Sequence, residues 1–184
     1  MKPIVIANLS YEWVQKVKAN VDGVVWPDDP DEWLRSPSTG SGRKLVFFVH
    51  WSHRVPTSIL DAYECVNFHC TPLPYGRGGH PIENMIRLGY EFTSMTAHRM
   101  VKGLDAGPIY LQWAGIPLDG TKAEILDRFV VPVSAQMRDI IEDPDIVPID
   151  QAKLGRPTFF NRLTPDEYAD FWAKRLADDK GGVE

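Results

Sequence analysis

ECVNFHCTPLPYGRGGHPI, residues 64–82, reads as a strand, its exit loop and the start of a helix. In the first seven residues Cys65, Asn67 and His69 share one parity, and Val66, Phe68 and Cys70 share the other. An amide and an imidazole therefore leave the strand on the same side. A Pro- and Gly-rich run carrying Arg77 and His80 follows, and Pro81 suits the first turn of a helix that Gly89 closes after Leu88. Either polar side chain alone could merely satisfy buried backbone groups. Delivered together at a strand exit, they form a candidate site at the carboxyl edge of a parallel sheet, where α/β proteins bind ligands.

The neighbouring segments support such a sheet. PIVIA (3–7) and KLVFFV (44–49) are continuous apolar strands, and GVVW (23–26) is expected as a further short one. Ser10 is expected to cap a helix with Trp13, Val14 and Val17 on its apolar face. PDDPDEWLRSPSTGSG holds one short helix around Asp31–Arg35 and then a loop. Residues 91–100 and 107–118 read as two strands joined by VKGLDA, with Trp113 expected in the core. Thr121 and Glu124 form a capping box for a helix carrying Ile125, Phe129, Val133, Met137 and Ile140, kinked at Pro132. Thr164, Pro165 and Glu167 start a last helix, expected to dock through Tyr168, Phe171, Trp172 and Leu176 before a frayed ADDKGGVE. Strands alternating with helices predict an α/β fold around a mostly parallel sheet with helices on both faces.

Composition narrows the function. A 184-residue chain with 43% hydrophobic and 24% charged residues is ordinary for a soluble domain. It has no run of about 18 apolar residues, so no membrane span is expected. The start, MKPIVIANLSYEW, lacks a signal-peptide pattern, and Cys65 and Cys70 diverge too far to bridge. A cytoplasmic location is the expectation. Net charge is −5, which argues against a nucleic acid partner while leaving room for a local phosphate pocket. Cys65, His69, Cys70 and His80 match no paired zinc spacing, so no metal is expected.

The motif N-x-H-x-(S/T)-x-L-P-x-x-x-G is present as Asn67, His69, Thr71, Leu73, Pro74 and Gly78. Gly103, Leu104, Asp105, Gly107 and Pro108 follow as G-L-D-x-G-P. Together they resemble the folate-dependent formyltransferases: the glycinamide ribonucleotide, methionyl-tRNA and sugar N-formyltransferases. The resemblance runs from about residue 44 to 168, through FFVHWSHRVPTSILD and GRPTFFNRLTPDE. It implies a Rossmann-like fold with an abbreviated first half, a catalytic domain over 1–150, and an extension over 151–184 with one docked helix, all within a single domain. It implies Asn67, His69 and Asp105 as the catalytic set and N10-formyltetrahydrofolate as cosubstrate. His50, Trp51, Ser52, His53, Arg54, Val55, Pro56 and Leu104 would hold the folate. Thr71, Pro72, Tyr75, Arg77, Gly78 and His80 would face the amine substrate. His50 and His53 read equally as pterin contacts or as exposed loop histidines. Arg77 and His80 read equally as phosphate or hydroxyl ligands or as a surface arginine and a capping histidine.

In that family an attacking amine builds negative charge on the formyl oxygen, which the Asn67 amide and His69 would stabilise. His69 and Asp105 would move the protons. The turn after the first strand, ANLSYEW, lacks the glycines that cradle phosphate in the ribonucleotide enzymes. The residues after 170 are too few for the C-terminal barrel of the tRNA enzymes, and no regulatory domain precedes the first strand. A compact sugar N-formyltransferase is therefore the expectation, acting on a nucleotide-linked amino-deoxysugar in a surface- or flagellin-glycan pathway, with a homodimer possible. The alternatives are another small-amine, purine-type transferase or a folate-binding relative without turnover.

Overall fold

The computed structural model describes residues 2–37 and 43–181. Residues 38–42 of the expected loop and 182–184 of the expected frayed end lie outside them. In chain order the elements are β1 (Ile4–Ala7), α1 (Glu12–Asn20), α2 (Pro30–Arg35), β2 (Leu45–Val49), α3 (Thr57–Ala62), β3 (Glu64–His69) and β4 (Arg77–Gly78). Then follow α4 (Pro81–Arg87), β5 (Phe92–Arg99), β6 (Ile109–Pro117), α5 (Lys122–Asp127), α6 (Val130–Glu142), a 3-10 turn (Gln151–Lys153), β7 (Phe159–Phe160) and α7 (Pro165–Gly181).

Among the described residues the main sheet has the order β1-β2-β3-β5-β6. β1, β2 and β3 are parallel, whereas β5 and β6 run antiparallel to their neighbours. The apolar runs of β1 and β2 are uninterrupted because both faces are covered. Val5, Ala7, Leu45, Phe47 and Val49 pack with α1, α5 and α6, while Ile4, Ile6, Val46 and Phe48 pack with Trp33, Leu34 and Ile59 of α2 and α3. The Rossmann-like α/β architecture expected from the sequence is the observed one. β4 and β7 form a separate two-stranded ribbon.

Local details depart from the sequence reading, each for a physical reason. GVVW is no strand: Val25 makes an isolated bridge to Ile4, between a turn at Gly23 (φ +76°) and Pro27. Ser10 does not cap α1, because its amide and hydroxyl both bind the Asn8 carboxamide oxygen, which leaves Tyr11 as an uncapped N-terminus. Pro132 does not kink a long helix. The chain breaks at Arg128–Phe129, and Pro132 becomes the third residue of α6, where a missing N–H costs nothing. Trp113 is 44% exposed on the edge strand β6, whereas Trp172 of α7 is buried and donates from its indole to Glu83 Oε1 at 2.9 Å. Leu176 stays 44% exposed, so the docking stripe of α7 is narrower than its sequence spacing.

The arrangement sets up one place for chemistry. Pairing β3 with β5 puts Asn67 opposite His98 and His69 opposite Thr96. The β5–β6 connection then brings Asp105 back over the end of β3.

Candidate active site

Asn67 and His69 leave β3 on one side, and Asp105 lies between two imidazoles. Its Oδ2 is 3.7 Å from His69 Nδ1, and its Oδ1 is 3.6 Å from His98 Nε2. Asn67 Nδ2 lies 3.4 Å from His98 Nε2. All three charged-type side chains are nearly inaccessible, at 7% for His69, 2% for His98 and 11% for Asp105. His98 was not singled out from the sequence. It sits in a strand of ordinary β pattern, and only the antiparallel register with β3 gives it meaning.

The backbone sets the tautomers. His69 Nε2 lies 2.8 Å from Gly76 O and His98 Nδ1 lies 3.1 Å from Arg99 O, so each ring donates its hydrogen to a carbonyl. That points His69 Nδ1 and His98 Nε2 at Asp105, where either nitrogen can hold a proton against the carboxylate, and an unprotonated His98 Nε2 can accept from the Asn67 amide. Burial would raise the Asp105 pKa, yet the His98 hydrogen bond, the His69 and His98 rings and the Gly78 amide outweigh it and bring it down to about 2. Burial lowers the His69 pKa, against the opposing pull of Asp105 and of the Gly76 carbonyl. The resting site thus holds an ionised carboxylate between two buried imidazoles. Its three inward atoms can take up one proton and share it.

The Asp105 loop is fixed at several points. Asp105 itself has φ +46°, a left-handed conformation that other contacts must hold. The Gly78 amide donates to its Oδ2 at 3.0 Å. Buried Gln151 donates to Asp105 O at 2.8 Å and to Gly107 O at 2.7 Å, while its Oε1 accepts from Arg77. Gly107 is required because a Cβ there would collide with Arg99 O. Gln151 was also missed in the sequence, since its partners are 44 and 46 residues away.

The remaining sequence-selected residues divide. Thr71 is fully buried and donates to Tyr75 O at 2.7 Å, which makes it a loop brace instead of a substrate contact. Arg77 is held by Gln151 through Nε and Nη2 and lies over the Phe159 ring, so it is not a free surface arginine. Tyr75 packs edge-on against Tyr90 and Phe160, and Pro72 is half-buried. His80, at φ +49°, accepts the Leu163 amide on Nδ1 at 2.8 Å.

In the loop expected to hold folate, Val55 is buried in the core, while Ser52, His53, Arg54 and Pro56 are exposed. Trp51 packs beside His53 and keeps a buried indole N–H with no partner. His50 is not the exposed loop histidine of the second reading: it is half-buried, with its ring edge-on to Tyr11 and Trp13. Burial, reinforced by Lys122, pushes its pKa down to about 4. An open groove of about 630 Å³ lies along Leu60, Asp61, Arg99, Met100, Val101, Lys102, Gly103 and Pro108, next to the exposed Leu104. Among the described residues no His, Cys, Asp or Glu group has metal-site geometry.

The His50 shift makes a testable statement about stability. Its folded pKa lies below the unfolded value of about 6.5, so its contribution is complete above that pH and is lost as pH falls toward 4. The expected loss is roughly 2–3 kcal/mol. Thermal melts of the wild type should therefore fall more steeply between pH 7 and pH 4 than those of His50→Asn, which tolerates φ +51°. Parallel pH profiles would contradict the assignment.

The chain matches the model of the formyl transferase family over residues 41–132. It is 30% identical to the methionyl-tRNA formyltransferase of Lacticaseibacillus casei, over 75% of this chain and 48% of that protein. It thus spans about half the length of the curated relatives it matches. The methionyl-tRNA formyltransferase of Clostridium thermocellum superposes with a TM-score of 0.77 at 27% identity, covering 97% of this chain and 81% of that one. The formyltransferase PseJ of Anoxybacillus kamchatkensis, solved with tetrahydrofolate and a UDP-linked formamido sugar, shares the fold at a TM-score of 0.61 and 16% identity, over 95% of this chain and 97% of that one. The segment 41–132 of this chain holds the whole cluster of Asn67, His69, His98 and Asp105, and the chain belongs to the folate-dependent formyltransferase family.

Proposed function

We propose that this chain transfers the formyl group of N10-formyltetrahydrofolate to the primary amine of a small substrate, a nucleotide-linked amino-deoxysugar. The carrying observation is Asp105, ionised and clamped between His69 and His98 beside the Asn67 amide. We assign the folate to the groove along Leu60, residues 99–103 and Pro108, on the loop that carries Asp105. The groove's size suits a ligand of that kind, with Leu60, Met100 and Val101 as apolar walls and Arg99 and Lys102 available to carboxylates. In this reading Leu104 and the partnerless Trp51 indole flank the cosubstrate. Bound there, it supplies the formyl carbon and a leaving nitrogen that ends the reaction protonated.

The chain's own groups supply the rest. The Asn67 amide carries a second hydrogen that can donate to the oxygen on which charge develops. His69 Nδ1 accepts the proton that the attacking amine gives up, and Asp105 stabilises the imidazolium without keeping the proton. The same proton is then returned to the leaving nitrogen, so the cluster ends as it began. Catalysis in this scheme is proton holding plus oxyanion donation in a dry pocket.

The acidic chain, with net charge −5, favours a small substrate over a polyanion. A second reading, methionyl-tRNA, is favoured by the sequence relatives. One assay separates them. The chain is incubated with N10-formyltetrahydrofolate and, in turn, nucleotide-linked amino sugars, glycinamide ribonucleotide, methionyl-tRNA or no acceptor, and formylated product is read by mass spectrometry. Product with an amino sugar is expected. Product with methionyl-tRNA alone replaces the substrate assignment. Thermal protection by folate with no product on any acceptor makes the chain a binder.

A further inference from the structure

Lys122 occupies an unusual place. It is half-buried, stands in the first turn of α5 where a cation gains nothing from the helix dipole, and has no carboxylate within ion-pair distance among the described residues. Its ammonium lies between two tyrosine rings, 4.9 Å from the centroid of Tyr168 and 5.9 Å from that of Tyr11. Each tyrosine in turn carries a histidine: His80 lies 4.8 Å from Tyr168, and His50 lies 4.2 Å from Tyr11. Tyr11 follows β1, His50 follows β2 and His80 follows the long exit of β3, so the cluster gathers at the carboxyl ends of the three parallel strands. That edge is where open α/β sheets bind ligands.

The polar atoms of the cluster are donors without acceptors. Neither the Tyr11 nor the Tyr168 hydroxyl has a hydrogen-bond partner among the described residues. The Leu163 amide occupies His80 Nδ1, so neutral His80 carries its hydrogen on Nε2 and can donate it. The nearby carboxylates are engaged elsewhere: Glu83 with the Trp172 indole, Glu124 in the capping box with Thr121, and Glu12 with Lys16. A cation and three donor groups share this cluster in a chain whose overall charge is negative. The cation–π contacts hold the ammonium in place before any ligand arrives.

The cluster also connects to the catalytic centre. His80 is two residues beyond Gly78, whose amide anchors Asp105. From the His80 ring to Lys122 is no more than about 10 Å through Tyr168, so one diphosphate could reach both. We propose that Lys122, Tyr11, Tyr168 and His80 form a binding site for the phosphate oxygens of the amine substrate. The glycine-rich phosphate turn is absent after β1, and a side-chain site takes its place. The direction of the substrate rests on the formyl-transfer reading; the anion site itself does not.

The test is calorimetric titration of the full chain, without folate, with UDP, inorganic pyrophosphate and uridine. UDP and pyrophosphate should bind and uridine should bind at least 10-fold more weakly than UDP, because the phosphate oxygens carry the recognition. Lys122→Met should weaken UDP and pyrophosphate at least 10-fold, and Lys122→Arg should stay within about 3-fold of wild type. Equal UDP binding by wild type and Lys122→Met overturns the site, as does uridine binding as tightly as UDP. An acceptor-stem RNA that binds through Lys122 while UDP and pyrophosphate do not also overturns it. Because no turnover is read, Lys122-dependent UDP binding supports the anion site even if the formyl-transfer assay fails. Amino-sugar formylation with Lys122-independent UDP binding refutes the site and leaves the enzymatic reading intact.

Discussion

Asp105→Asn is expected to lower kcat by about 10²-fold or more while leaving affinity for N10-formyltetrahydrofolate within about 3-fold of wild type. The substitution keeps the shape of the side chain and the Gly78 amide contact to one oxygen. What it removes is the negative charge that faces His69 Nδ1 at 3.7 Å and His98 Nε2 at 3.6 Å. Without that charge a buried imidazolium is unsupported, since burial already lowers the His69 pKa. The proton from the amine then has no stable resting place. The amide –NH₂ would also donate to one imidazole lone pair and block it. Single-turnover rates with saturating folate and the accepted amine check this directly. Turnover within about 3-fold of wild type would remove Asp105 from the proton path.

Asn67→Ala should cost about 10²–10³ in kcat, the usual worth of one oxyanion donor. The Asn67 amide lies 3.4 Å from His98 Nε2, a long contact that leaves its second hydrogen for the substrate oxygen. Alanine deletes that donor and also leaves the His98 lone pair unmatched next to Asp105. The loss in Asn67→Ala/Asp105→Asn should therefore be smaller than the product of the single losses, because both act on one transition state. Fully multiplicative effects would separate the two residues into independent roles. A change confined to KM in the single variant would make Asn67 a binding group instead.

Much of this was legible from local pattern alone. The i, i+2 spacing of Asn67 and His69 puts them on one face whatever the rest of the chain does, because strand geometry alternates sides. The uninterrupted apolar runs of β1 and β2 announce burial on both faces, and the capping boxes at Thr121 and Thr164 mark their helix starts by local hydrogen bonds. Where local signals competed, the reading failed. Ser10 lost its capping role to a shorter-range bond with Asn8, and Pro132 sat close enough to a helix start to be harmless.

The amino-acid sequence by itself determined the sheet's buried strands, the shared face of Asn67 and His69, and the need for a bend around Asp105. These rest on backbone periodicity and on side-chain volume within a few residues. The tertiary structure decided that β5 runs antiparallel to β3, and so placed His98 against Asn67 and Asp105. It also decided that Gln151, not a nearby residue, clamps the Asp105 loop, that the groove beside it is built from α3 and the β5–β6 connection, and that Lys122 meets Tyr11 and Tyr168. Each is a contact between segments tens of residues apart. Its geometry depends on strand order and register, which no local periodicity encodes.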